Sequence, residues 1–300
     1  MTTTKSNQAP RKKTKTKGRR STAVKTTPRR HSNSASPATQ DASKQQEQGT
    51  PGSAAPAAEG ERLNRYLAKS GLCSRREADK RIAAGLISIN GDTVSDMGRR
   101  VQPGDTVLAD GKPVAPLTSH SYVLYNKPAG QLCTRRDDRG RDLIYNHLRV
   151  APNVQSVGRL DMDTEGLLLL TDDGGLANLL TRPGSKVDRE YRVRLAGNLA
   201  LDSLEALRRG GLDIGDGEKS DPWDVTVDSE TRGHCWLTVV VRRGRNREVR
   251  RTLEAAGHTV RRLMRIRFAS LKLEEGMPRG AWRNLEAGEI RQLRSMVGLK

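Results

Sequence analysis

Aromatic side chains make up only 3% of this 300-residue chain: five Tyr, three Trp and one Phe. Any flat ring placed where it could stack on a ligand is therefore one of a handful. Cysteine is nearly as scarce. Cys73, Cys133 and Cys235 are odd in number and far apart, which excludes a disulfide framework and a C-x-x-C metal site and predicts small buried hydrophobes instead. Near the motifs below no apolar run exceeds Leu167–Leu170, too short to cross a bilayer. The amino terminus is basic, yet it lacks the apolar stretch that a secretory signal carries after its charged start. These absences predict a cytoplasmic protein without a membrane association. Acidic residues are outnumbered, 35 against 54 Lys and Arg, for a net charge of +19 and a pI near 10.4. That balance points to a polyanionic partner such as nucleic acid.

The charge is shared between two unlike parts. Residues 1–60 hold 12 Lys or Arg and three acids, and are rich in Thr, Ser, Pro, Ala and Gln with few large apolar side chains. Such a segment cannot bury enough surface to offset the entropy of ordering, so a disordered basic tail is expected. Its run from Arg11 to Arg20 could add salt-sensitive, sequence-blind affinity for RNA. A solvated arm that only aids solubility fits the composition equally well.

Order is expected from residue 61. Leu63, Tyr66 and Leu67 recur at helical spacing up to Gly71. Ser74 and Glu77 have capping-box spacing before a second helix, which buries Ala78 and Ile82 and stops at Gly85. Leu86–Ile89 reads as a strand and Asn90-Gly91 as a tight hairpin turn leading to Thr93-Val94. Arg75 and Arg76 stand in the first turn of the second helix, where the helix dipole disfavours cations. With Lys80 and Arg81 they form a basic edge suited to phosphates. From Arg62-Leu63 through Ser74-Arg75-Arg76 to Ile89-Asn90-Gly91, about fifty residues resemble the S4 RNA-binding domain. That resemblance implies structured RNA as the partner and assigns Arg62, Arg75, Arg76, Lys80, Arg81 and Asn90 to the RNA-facing side. This module is placed at 61–108, and a linker over 109–120 starts with a turn at Asp110-Gly111-Lys112-Pro113.

A larger module is expected over 121–292. Tyr122–Tyr125, Tyr191–Leu195 and Trp236–Val241 have strand patterns, whereas Leu199–Leu207 and Asn246–Ala256 have helical spacing. Neither a strand-helix-strand rhythm nor a Gly-rich phosphate loop is present. An α+β fold is therefore predicted, with a mostly antiparallel mixed sheet flanked by helices. Six arginines, Arg242, Arg243, Arg245, Arg247, Arg250 and Arg251, crowd beside a helix face formed by Val249, Leu253 and Ala256. Arg261, Arg265 and Arg267 share one side if 260–268 is a regular strand. Stability gives no reason for so many like charges, and a groove for folded RNA does.

The densest pattern is Gly158-Arg159-Leu160-Asp161-Met162-Asp163-Thr164-Glu165-Gly166-Leu167, a carboxylate-bearing loop directly before an apolar strand. Catalytic groups concentrate on loops of this kind, although Asp161 would serve equally as a turn former. With Asn126-Lys127-Pro128-Ala129-Gly130, Arg189-Glu190-Tyr191 and Gly244-Arg245-Asn246-Arg247-Glu248-Val249-Arg250-Arg251, this stretch is similar to the ribosomal pseudouridine synthases, in the branch with one S4 domain ahead of the catalytic domain. The resemblance covers nearly everything after residue 60. It implies isomerisation of uridine in ribosomal RNA by a monomer, with an aspartate and no cofactor or metal. Asp161 matches the family's essential aspartate, which could attack sugar or base or assist proton removal. Tyr191 matches a tyrosine that lies against the uracil, though an alternating strand would ordinarily bury such a ring in the core. Arg250 matches the basic residue expected to pair with the aspartate and keep it ionised. Arg159, Leu160, Arg245, Arg247 and Arg251 fall in the same motifs and are expected to face RNA. The segment Tyr125–Arg135 looks closest to members acting on 23S rRNA, which implies that RNA or a large-subunit assembly intermediate as substrate. Glu248 stands where glutamine is expected, and Arg182-Pro183 where histidine-proline is frequent; both bear on substrate detail. Readings left open are a non-catalytic RNA-binding or assembly factor, the same chemistry on 16S rRNA, and a metal-dependent nuclease using Asp161 and Asp163.

Overall fold

The computed structural model describes residues 60–299. The tail expected over residues 1–60 lies outside the described residues except for Gly60. The first elements are β1 (Glu61–Arg62), α1 (Leu63–Lys69), α2 (Arg75–Ala83), β2 (Ile87–Ile89), β3 (Asp92–Thr93), β4 (Arg100–Val101), β5 (Val107–Ala109) and β6 (Lys112–Pro113). Both helices are short, and packing rather than propensity holds them. Leu63, Leu67, Ala78 and Ile82 are fully buried against Ile87, Ile89 and Val107 of the small sheet. Ser74 caps α2 by accepting the Glu77 N–H. The turn at Asp110-Gly111 does not open a linker, as expected from sequence. It joins β5 to β6 in a hairpin, and Val114 packs on the same core, so the module continues past residue 108. Gly and Asp mark hairpin turns and linkers alike, and only the pairing of the flanking residues separates the two.

The remaining elements are β7 (Tyr122–Lys127), β8 (Gln155–Ser156), β9 (Glu165–Thr171), α3 (Gly174–Thr181), β10 (Arg189–Ala196), α4 (Leu201–Arg209), β11 (Asp224–Thr231), β12 (His234–Val241), α5 (Glu248–Ala255), β13 (Val260–Phe268), β14 (Leu271–Lys272), β15 (Trp282–Asn284) and α6 (Ala287–Met296). Their sheet runs β11-β12-β10-β13-β9-β7-β15, with β14 on β13 and β8 on β9. Its pairs are antiparallel except β13 with β9. This is the α+β fold with a mixed, mostly antiparallel sheet that the sequence implies. The last helix runs to Met296 and seats Leu293 in the core, beyond the limit of 292 read from the sequence.

The run Leu167–Leu170 is a strand with no wet face. Leu168 and Leu170 join one core cluster, and Leu167 and Leu169 the other. Each such side chain contributes about 2 kcal/mol, which anchors β9 and the loop before it. β10 alternates instead: Arg189, Tyr191, Val193 and Leu195 are buried and Arg192 is exposed. Arginines on β13 do not share one side as regular alternation predicts. A bulge between Glu190 and Tyr191 sets Arg265 opposite Tyr191 and Arg267 opposite Glu190, so the two arginines point to opposite faces.

Candidate active site

The loop 158–164 is pinned from below. Lys127 is fully buried at the end of β7, and its Nζ donates to the carbonyl oxygens of Pro128 (2.9 Å), Asp161 (3.2 Å), Met162 (3.3 Å) and Thr164 (2.9 Å). The Gly130 N–H reaches the Met162 carbonyl at 2.7 Å, and the Thr164 N–H closes the turn on the Asp161 carbonyl at 3.1 Å. Burial pushes the Lys127 ammonium below its ordinary pKa, while Asp163, Asp161 and Glu165 act against that. An ammonium with so many carbonyl acceptors is a structural rivet. Lys127 belongs to a motif that carries the family resemblance, but nothing in the sequence told its buried role from that of a surface lysine beside a proline.

Held this way, the half-buried Asp161 faces a cleft of 1090 Å³. Among the described residues its carboxylate has no hydrogen-bond donor and no ion-pair partner. Tyr191, 9% exposed, lines the same cleft from β10. It is flanked in the sheet by Val239 of β12 and Arg265 of β13. Arg265 is buried, donates through Nε to the Leu167 carbonyl at 2.8 Å, and has a terminal nitrogen with no partner. Arg189 is committed to the carbonyls of Val187, Arg242 and Leu180, and burial lowers its pKa. Phe268, the lone phenylalanine, lies beneath both arginines, with guanidinium carbons 4.9 Å and 5.6 Å from its ring centre.

Arg250 does not pair with Asp161. Its Nε lies 3.2 Å from the Asp163 carboxylate, its Nη2 donates to the Asp163 carbonyl at 2.9 Å, and its Nη1 to the Val260 carbonyl at 3.3 Å. Arg250 is buried beneath the loop and is not part of the cleft wall. The motif places this arginine near the aspartate loop, but sequence cannot show which of two carboxylates two residues apart it meets.

The rim is basic. Arg159, Arg182, Lys186, Arg243, Arg245 and Arg247 line the opening, and Leu160 is a buried part of the wall. Arg247 has a left-handed backbone, φ 48°, at the N-cap of α5 and pairs with Asp163 at 3.3 Å. Arg245 is tied to Asp221 at 3.0 Å. Glu248, buried beside it, accepts the Arg245 N–H at 3.3 Å, while its Oε1 has no hydrogen bond and lies 3.6 Å from the Arg245 Nε, and burial raises its pKa. Arg251 stands outside the cleft, bonded to the carbonyls of Ile214 and Gly215 and to Glu218. Its role is to fasten the 214–218 turn.

In the small module, Arg62 and Arg75 meet in a basic hollow with Arg65, Lys69 and Arg100. Arg76 and Lys80 are exposed outside it, and Lys80 lies 3.7 Å from Glu77. Arg81 pairs with Asp110 at 3.1 Å. Asn90 uses both ends of its amide internally, on Asp105 and on the Thr106 N–H, so it stabilises a turn at φ 55°. No helix among the described residues is long and apolar enough to cross a membrane.

Comparison with known proteins agrees with this arrangement. Residues 121–255 match the RNA pseudouridylate synthase family and residues 61–107 the S4 domain. A Haemophilus influenzae protein named ribosomal large subunit pseudouridine synthase B is 40% identical over 254 residues, covering 81% of this chain and 70% of that relative. Its namesake in Vibrio cholerae is 38% identical over 250 residues, 80% and 76% of the two chains. A crystal structure described as a pseudouridylate synthase superposes with a TM-score of 0.57 at 28% identity, covering 78% of this chain and all of the other. Fold, motif order and relatives agree: the chain belongs to the RNA pseudouridylate synthase family, with an S4 domain preceding the synthase domain.

Proposed function

We propose that this protein converts uridine to pseudouridine in large-subunit ribosomal RNA, with Asp161 as the group that acts on the swung-out nucleotide. The observation that carries the reading is the Asp161 carboxylate itself: held by its backbone, unpartnered at its oxygens among the described residues, and open to a cleft that Tyr191 shares. A carboxylate left free of protein partners in this way is available to the substrate. Tyr191 supplies the apolar face that a flipped base needs in place of its stacking neighbours. Arg159, Arg245 and Arg247 offer positive charge at the mouth, where the phosphate backbone enters. The basic hollow around Arg62 and Arg75 is a second anchor for folded RNA. The named relatives favour 23S rRNA over 16S rRNA as the substrate.

The nuclease reading loses its second carboxylate, since Asp163 is matched by Arg247 and Arg250. Among the described residues no group of three or more His, Cys, Asp or Glu is placed to hold a metal ion. Chemical mapping of pseudouridine across rRNA, from cells with and without the gene, tests the proposal and names the uridine. The purified Asp161→Asn variant should retain RNA affinity and form no pseudouridine at that position. An active Asp161→Asn enzyme would end the assignment, and a variant that restores growth as well as wild type would favour an assembly factor.

A further inference from the structure

Arg265 is a buried cation of the cleft wall whose donor capacity the described residues leave partly unused. Arg265 is 2% exposed, and only its Nε has a protein acceptor, the Leu167 carbonyl; Nη2 is buried without a partner. Leaving a buried guanidinium nitrogen unpaired is costly, and among the described residues Arg265 has no ion pair. Its neighbours are also unusual. Tyr191 faces it across β10, and Gly166, five residues after Asp161, faces it across β9. The parallel pairing of β13 with β9 thus brings this side chain between the tyrosine and the aspartate loop. Arg250 cannot take this position, because it is spent on Asp163 beneath the loop.

We infer that Arg265 contacts the substrate, its guanidinium donating a hydrogen bond from the cleft wall to a carbonyl oxygen of the target uracil while that ring is detached from the ribose. This rests on the reading of the Asp161 cleft as the uridine site. The isomerisation breaks the N1–C1′ bond and leaves its electron pair on the uracil, where it spreads onto the ring carbonyl oxygens. The same ring then forms the C5–C1′ bond, C5 loses its proton and N1 gains one, so atoms and electrons balance without a co-reactant. Negative charge is therefore transient and sits on oxygen. A preorganised cation aimed at such an oxygen favours the detached state over the bound substrate. Tyr191 covers the ring face, Asp161 stands in the same cleft, and Arg265 addresses the carbonyl edge.

The test is single-turnover pseudouridine formation on an rRNA fragment containing the mapped uridine, with wild type and Arg265→Met. The expected result is a rate loss of about 100-fold, the scale of one oxyanion donor, with RNA affinity changed less than about threefold. A structural role would not predict the second readout. Fragments with 2-thiouridine or 4-thiouridine at the target weaken one acceptor each. One of the two should slow wild type yet slow Arg265→Met no further. If Arg265→Met does not fold, Arg265→Gln, which keeps a donor for the Leu167 carbonyl, takes its place in the same comparison. A folded variant with wild-type rate, or thio penalties that multiply in full with the substitution, overturns the inference. Failure of the underlying assignment looks different: wild type itself then forms no pseudouridine.

Discussion

The backbones of Gly166 and Arg265 approach so closely that a Cβ on Gly166 would lie 2.2 Å from the Arg265 carbonyl oxygen and 2.9 Å from its nitrogen. Gly166 also has φ 99°, which L residues avoid. The glycine after Glu165 in the motif is thus the condition for the parallel β9–β13 contact, and so for Arg265 standing beside the aspartate loop. Gly166→Ala should cost about 3 kcal/mol or more, from strain and overlap together. Denaturant unfolding measures it; a loss below about 1 kcal/mol would mean that the strands part easily.

Arg250 and Asp163 give a second prediction, because the pairing they form differs from the one the family motif implies. A double-mutant cycle with Arg250→Met and Asp163→Asn should return a coupling of about 1 kcal/mol or more in unfolding free energy, the scale for groups in contact. The Asp163 side chain is about half exposed, which keeps the value well under that of a fully buried pair. Arg250→Met with Asp161→Asn should be additive within about 0.5 kcal/mol. Strong coupling to Asp161 would instead restore the direct pairing.

What could be read in advance follows from what each signal depends on. Leu167–Leu170, the alternation of β10 and β12, and the Ser74 cap are local patterns, and each appears where expected. Asp161 and Tyr191 were named through the family resemblance, and the fold brings them to one cleft. Lys127 and Arg265 were named only as members of a motif and of an arginine stripe, because their roles are made by tertiary contacts. One becomes a rivet only when the 161–164 carbonyls converge on it. The other leaves the arginine stripe only because a bulge at Glu190 changes its face. Asn90, Arg81 and Arg251 were expected to face RNA because they fall in the matching motifs, and the structure gives each an internal partner.

Glu248 carries the pH dependence most open to measurement. Glu248 is 5% exposed and its Oε1 has no hydrogen bond, only a long 3.6 Å ion pair with the Arg245 Nε; burial raises its pKa above 4.5, and the nearby Arg245 only partly opposes this. A native pKa above the unfolded one means that the folded chain binds the extra proton. The associated stability is complete below about pH 4.5 and is lost as pH rises through the native value. Near pH 8 the ionised Glu248 is therefore a net cost. Glu248→Gln keeps an acceptor for the Arg245 N–H and removes the charge. It should be more stable than wild type by about 1 kcal/mol at pH 8, the scale of one poorly satisfied buried acceptor. The gain should shrink toward zero at pH 4. Thermal melts of both proteins between those limits decide the matter: an advantage that grows on acidification would have the opposite sign, and would show that Arg245 holds the Glu248 carboxylate in its ionised form.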